Sequence, residues 1–310
     1  MNRFQFSSDD PVFIFTDPGI DDALALAMLS RSDGVQLIGA CGVDGNVPSR
    51  TAATNLADLF RLFGVRDAPV FRSSIEDPPH EYPISVHGKN GLGTVKIAKT
   101  HLQNKHKVLS DYLMLQPRFQ ILSLGPLTAV ADLLNKSPEI INRIARCVIM
   151  GGGFARGNVT RYAEFNIYSN PEAADQVFRS SLSKILVPLD VTEKVKLYGR
   201  DLERLKTSKR KAVARALSGM LRYYFDFEKN STGFYGGYMH DPSAVLAISN
   251  PKLFKFRRAV VRVDTTVAET RGRTIARFST ERAANTFVAM EVDAKSARSE
   301  IMKSLINSAS

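Results

Sequence analysis

The sequence predicts an α/β fold: a single domain over residues 1–310 built on a doubly wound, mainly parallel sheet of Rossmann-like type. Three observations predict it. Short β-branched and aromatic runs alternate with runs of strong helix formers, the pattern of parallel strands joined by crossover helices. No Pro/Gly-rich linker, internal repeat or low-complexity tract divides the 310 residues, a length that buries roughly 75% of the unfolded surface in one core. Hydrophobic residues make up 44% and charged residues 24%, which excludes disordered, collagen-like and coiled-coil classes.

The elements follow in order. Val12-Phe13-Ile14-Phe15-Thr16 reads as a buried strand, Asp17-Pro18-Gly19 as a tight turn and residues 20–29 as a helix. Next come a strand at 35–43, a helix at 47–63, a strand at 119–124, a helix at 126–134 and a strand at 144–150. The second half offers a helix at 171–178, a strand at 183–189 and a long helical stretch from 201 to about 227. Strands at 257–264 and 273–278 and a closing helix at 293–308 complete the chain. In such sheets ligands sit beyond the carboxyl ends of the strands, so the turns after Thr16, Val43, Leu124 and Met150 are expected to meet in one crevice.

Lys and Arg number 42 against 31 Asp and Glu, a net charge of +11 at neutral pH. The cations gather at Lys206, Lys209, Arg210, Lys211 and Arg215, and again at Arg257, Arg258, Arg262, Arg271, Arg273 and Arg277. Either group could attract a phosphate backbone. No helix-turn-helix, RNP-like or zinc-finger pattern accompanies them, and Asp201, Glu203, Glu228 and Glu269 are interleaved. A solvated face is therefore expected, and nucleic acid is not expected as a partner. Both cysteines, Cys41 and Cys147, lie in apolar runs, which excludes a disulfide framework or a CxxC zinc site and fits a reducing compartment. Residues 1–11 lack the apolar stretch of a secretory signal, and no segment approaches the roughly 20 apolar residues of a membrane span. A cytoplasmic protein without a membrane partner is expected.

Asp17, Asp21 and Asp22 fall together at the end of one strand and the start of a helix. Carboxylates crowded at one turn repel each other, and a hard divalent cation relieves that repulsion through oxygen ligands. An alternative stays open, in which Asp21 caps the helix and Asp22 complements its dipole. Asn158 after Gly157 reads equally as a turn residue, and Met150 as core at the end of an apolar strand. Glu164 and Asn166 are stronger candidates, because they flank Phe165 in a segment otherwise framed for burial.

The acidic turn also carries a resemblance. Phe15-Thr16-Asp17-Pro18-Gly19-Ile20-Asp21-Asp22-Ala23 resembles the DxDPGxDDA signature of the inosine-uridine preferring nucleoside hydrolases, with Phe15 in place of the first Asp. Further matches follow in the family's order: Gly45-Asn46, His87-Gly88 with Gly91-Leu92-Gly93, Gly125-Pro126-Leu127-Thr128, Met150-Gly151-Gly152 and Gly157-Asn158. Ala163-Glu164-Phe165-Asn166, Asn170-Pro171-Glu172-Ala173-Ala174, Leu189-Asp190-Val191-Thr192 and His240-Asp241-Pro242 complete the set, which spans about residues 12 to 250.

That resemblance implies the nucleoside hydrolase fold and Ca²⁺-dependent cleavage of ribonucleosides to free base and ribose. The implied metal ligands are Asp17, Asp22, Asp241 and the carbonyl oxygen of Leu124, with Asp17 also the base that deprotonates the attacking water. Asp21, Asn46, Asn158, Glu164 and Asn166 are implied contacts to the ribose, which must be held while positive charge develops on it, and Met150 lines the floor. His240 stands beside an implied ligand and could protonate the departing base, and His87 matches a position facing the base. Two histidines there suggest that pyrimidines are accepted as well as purines. Tyr223, Tyr224, Phe234, Tyr235 and Tyr238 could stack on the base or belong to the core. Contacts to the 2′-hydroxyl make deoxyribonucleosides poor substrates. A homodimer or homotetramer is expected because relatives form them.

Departures from the signature bear on substrate choice. Phe15 removes a carboxylate near the implied metal, Asn90 and Asn170 stand where the family often has Asp, and Ala129 where it has Asn. Two other readings compete. One is a Mg²⁺-dependent phosphatase of haloacid-dehalogenase type with Asp17 as nucleophile, although Thr16-Asp17-Pro18-Gly19 does not supply its DxDG. The other is a nucleoside- or ribose-binding protein whose altered motif has lost turnover.

Overall fold

A run of five apolar or β-favouring residues begins the sheet, and both of its faces are covered. The computed structural model describes residues 10–30, 32, 34–78, 81–100 and 108–308; the amino-terminal stretch 1–9, used above to argue against a secretory signal, lies outside them. The strands are β1 (Val12–Thr16), β2 (Leu37–Gly42), β3 (Val70–Arg72), β4 (Phe119–Ser123), β5 (Ile144–Met150), β6 (Lys184–Val187), β7 (Lys196–Tyr198), β8 (Gly236–Tyr238), β9 (Phe254–Val263), β10 (Thr274–Phe278) and β11 (Thr286–Val292). Nine of them form one sheet in the order β10-β9-β11-β6-β5-β4-β1-β2-β3, and β7 pairs with β8 alone. From β3 to β11 the pairing is parallel, whereas β9 and β10 add antiparallel strands at one edge. The mainly parallel, doubly wound sheet expected from the alternation is the one observed.

Alternate residues of β1 enter different cores, as a period of two requires. Val12 and Ile14 join the apolar cluster under the Ile20–Leu29, Lys211–Thr232 and His240–Ser249 helices. Phe13 and Phe15 join the opposite cluster, under the Thr128–Lys136 and Pro171–Arg179 helices. Every residue of the Ile20–Leu29 helix is buried, so even its acidic first turn is enclosed by protein.

The stretch expected as one helix from 201 is two, Gly199–Leu205 and Lys211–Thr232. The break has a job: the Arg210 guanidinium donates to the carbonyls of Leu62 and Phe63, the last turn of the Ser49–Phe63 helix. Lys206 pairs with Glu203, so part of the basic run is spent on local structure. The sequence reading did not contain β3, β7, β8 or β11. The first three have three residues each, and β8 opens with Gly236-Gly237, so no period can show. No helix among the described residues is long and apolar enough to cross a membrane.

Candidate active site

β2, β1, β4 and β5 are neighbours, and their ends lie in register: Phe15 faces Cys41 on one side and Ser123 on the other, and Ser123 faces Ile149. The residues that follow them therefore meet at one edge of the sheet, as expected for an open parallel sheet.

Asp17 forms the floor and is wholly buried. Its Oδ2 accepts the Asn46 backbone N–H at 2.6 Å, and its Oδ1 has no hydrogen-bond partner among the described residues. Glycine makes the room: a Cβ at Gly45 would lie 2.1 Å from Asp17 Oδ2, and one at Gly125 2.4 Å from Oδ1. Asp22 Oδ2 accepts from the Gly19 N–H at 2.9 Å and Asn46 Nδ2 at 3.2 Å, and its Oδ1 accepts the Thr16 hydroxyl. Asp21, Asp22 and Asp241 each bring an oxygen within 4.8 Å of the others. Asp21, assigned by the resemblance to the sugar, thus stands in one carboxylate group with Asp22 and Asp241.

The charges oppose one another in a dry place. Burial, and then the charge of Asp22, pushes Asp17 well above the ordinary carboxylate range, and burial with Asp21 and Asp22 does the same to Asp241. Burial and Asp21 raise Asp22, and burial pushes Asp21 up to about 6. An unpartnered buried carboxylate oxygen costs free energy that a cation would return. Together with the Leu124 carbonyl, on which Asn166 Nδ2 sits at 2.6 Å, these hard oxygen donors fit Ca²⁺ or Mg²⁺.

Above the floor opens a cavity of about 540 Å³. Asp21, Asn46, His87, Leu124, Met150, Asn158, Glu164, Asn166, His240 and Asp241 all line it, while Asp17 and Asp22 lie below. Glu164 accepts the N–H groups of Gly152, Asn166 and Ile167 at 2.8, 3.0 and 3.2 Å, yet burial still raises its carboxyl. Asn158 accepts the Phe165 N–H at 2.9 Å, so it is both a turn residue and part of the wall. Met150 belongs to the core and also reaches the cavity.

Two imidazoles face this space. His87 Nδ1 accepts the Ile20 N–H at 3.1 Å, which leaves the hydrogen of the neutral ring on Nε2. His240 Nδ1 lies 2.8 Å from the Thr192 hydroxyl. Burial lowers both to about 4, so both rings are neutral at physiological pH. Tyr224 and Tyr238 line the cavity, with the Tyr238 ring stacked on His240 at 5.9 Å. Tyr223 instead donates to the Ile84 carbonyl, Phe234 packs edge-on to Tyr198, and Tyr235 packs on Phe225. Residues not singled out from sequence include Phe227, Glu228, and the Arg156–Glu193 pair with both N···O distances 2.9 Å. The spacing of Tyr224, Phe227, Glu228 and Ser231 on one helical face was the available signal for the first two.

A family model described as inosine-uridine preferring nucleoside hydrolase matches residues 12–299. Uridine nucleosidase 1 of Arabidopsis thaliana is 36% identical over 265 residues, covering 83% of this chain and 79% of that protein. The pyrimidine-specific ribonucleoside hydrolase RihA of Salmonella paratyphi B is 33% identical over 296 residues, 91% and 94% of the two chains. Among solved structures, the plant nucleoside hydrolase PpNRh1 superposes with a TM-score of 0.88 at 29% identity, covering 96% of this chain and 99% of that one.

Proposed function

The chain belongs to the inosine-uridine preferring nucleoside hydrolase family, and from that premise we propose that it is a Ca²⁺-dependent ribonucleoside hydrolase in which Asp17 activates water and His240 assists departure of the base. The observation that carries the proposal is the buried Oδ1 of Asp17, which meets no hydrogen-bond partner among the described residues, beside the group of Asp21, Asp22 and Asp241, of which Asp21 and Asp241 line the cavity. Asp17, Asp22, Asp241 and the Leu124 carbonyl would hold the ion. Ca²⁺ bound there supplies charge neutralisation and Lewis acidity.

The chain's own groups do the rest. Asp21, Asn46, Asn158, Glu164 and Asn166 hold the ribose through its hydroxyls. Asp17 takes a proton from water as the water oxygen bonds to C1′ and the C1′–N bond breaks, its electron pair leaving with the base. Because His240 is neutral near pH 7, it serves as a hydrogen-bond donor to that base rather than as an imidazolium acid. The names of the plant and bacterial relatives make uridine the first substrate to try. The working form in this reading is a cytoplasmic homodimer or homotetramer.

The test is release of free base from uridine, inosine, cytidine and adenosine, with chelator and then with added Ca²⁺. Activity that chelation removes and Ca²⁺ restores is expected; absence of turnover under Ca²⁺ saturation would overturn the reading.

A further inference from the structure

Thr192 ends the short helical turn Leu189–Thr192 and is wholly buried. Among the described residues its hydroxyl has one hydrogen-bond partner, His240 Nδ1 at 2.8 Å. The two segments are also tied through the backbone, because Met239 donates its N–H to the Val195 carbonyl at 2.9 Å. The same turn holds the segment that leads into the cavity wall: Asp190 accepts the N–H groups of Phe154 and Ala155 at 2.8 and 3.0 Å, just before Arg156, which lines the cavity.

The direction of the Thr192 bond follows from what each choice would strand. A hydroxyl that accepted from Nδ1–H would leave its own hydrogen buried without an acceptor. One that donates to Nδ1 leaves only lone pairs unfilled, and buried unfilled acceptors are commoner than buried orphaned donors. In a neutral imidazole an accepting Nδ1 places the hydrogen on Nε2. His87 is held in that way by the Ile20 N–H.

We infer that Thr192 is a positioning residue: by donating to Nδ1 it holds His240 in the Nε2–H tautomer, so that the cavity presents a donor to the departing base. The inference rests on the hydrolase reading for its kinetic consequence, though not for the tautomer. As the C1′–N bond breaks, its electron pair passes to the base; the Nε2–H hydrogen bond stabilises that charge, and the base takes its final proton from solvent. Leaving groups that are poor without help depend on this bond, and activated ones do not.

The test compares wild type, Thr192→Val and Thr192→Ser on uridine and on p-nitrophenyl riboside. Thr192→Val is expected to lower kcat on uridine by about 10- to 100-fold with KM nearly unchanged, within the span of acid–base contributions. It should change p-nitrophenyl riboside turnover by less than about 3-fold, and Thr192→Ser should restore uridine turnover. Equal losses on both substrates, or no rescue by Ser in a folded protein, would overturn the role. ¹⁵N spectra of histidine-labelled wild type read the tautomer directly: a protonated Nε2 with a bare Nδ1 on His240 supports the inference, and the reverse sinks it even if no substrate turns over. Failure of wild type to release any base while the spectra show Nε2–H would instead count against the hydrolase reading alone.

Discussion

The Asn46 backbone N–H holds Oδ2 of Asp17 at 2.6 Å, while the other oxygen of the same carboxylate, equally enclosed, meets no donor among the described residues. One oxygen is thus fixed by the chain and the other is left for what the chain does not supply. This asymmetry distinguishes Asp17 from Asp22, both of whose oxygens are engaged.

Asp17→Asn is expected to cut base release by about 10²- to 10⁴-fold, the usual contribution of a positioned base. It also removes one charge from a group of mutually repelling carboxylates. The metal-free variant should therefore melt above metal-free wild type, and gain less from Ca²⁺. Rates and calorimetry check both, and a rate within about 3-fold of wild type would exclude Asp17 as the base.

Acidity and metal should trade places at this site. Asp21 titrates near 6 in the folded chain against an ordinary 3.8, because of burial. Between those values the folded state holds more protons than the unfolded, so this group stabilises metal-free protein at low pH and the contribution disappears as pH rises through 6. Its full size is about 3 kcal/mol. The rise in Tm on adding Ca²⁺ should then be larger at pH 7.5 than at pH 5. Equal shifts at the two values would contradict the arrangement.

Gly45→Ala should disable the site more than the fold. The added methyl would lie 2.1 Å from Asp17 Oδ2 and 2.8 Å from the Pro126 ring, so the carboxylate must move. Overpacking of this kind costs about 1–3 kcal/mol. We expect urea unfolding to register that loss and base release to fall by more than 10-fold at saturating Ca²⁺.

Phe15→Asp restores the family signature but should not restore a better site. Phe15 lies in the apolar cluster on the far face of the sheet, edge-on to Phe13 at 5.3 Å. Losing a buried Phe costs about 3–5 kcal/mol, and an unpaired buried carboxylate adds to it. A drop in Tm with no gain in Ca²⁺ affinity is expected; tighter Ca²⁺ binding in a stable variant would refute it.

The alternation of apolar runs was enough to identify β1, β2, β4, β5 and β6 and the helices between them, because those strands are covered on both faces. β11 is not legible in the sequence although it links the parallel and antiparallel parts, since Thr286 and Glu291 shorten its apolar run to Phe287-Val288-Ala289-Met290. The motifs name Asp17, Asn46, Leu124, Glu164 and Asp241 for one site; Asn46, Leu124, Glu164 and Asp241 line the same cavity, and Asp17 is bonded to the Asn46 backbone. They do not tell that Asp21 brings an oxygen within 4.8 Å of Asp22 and Asp241, nor do they assign Thr192 a partner. Those facts depend on how segments distant in sequence pack, which spacing along one segment does not encode.

The place of β1 in the middle of the sheet also bears on how the molecule is made. Synthesis proceeds from the amino terminus, so β1 and its acidic turn leave the ribosome before the other strands of the sheet and find β2 first. The other edge of β1 must wait for β4, and the turn must wait still longer for Asp241. During that interval an apolar strand edge lies open to the wrong partner. The nascent chain is therefore most vulnerable to misassembly before residue 119 has emerged, and a pause in translation there should lower the yield of folded protein.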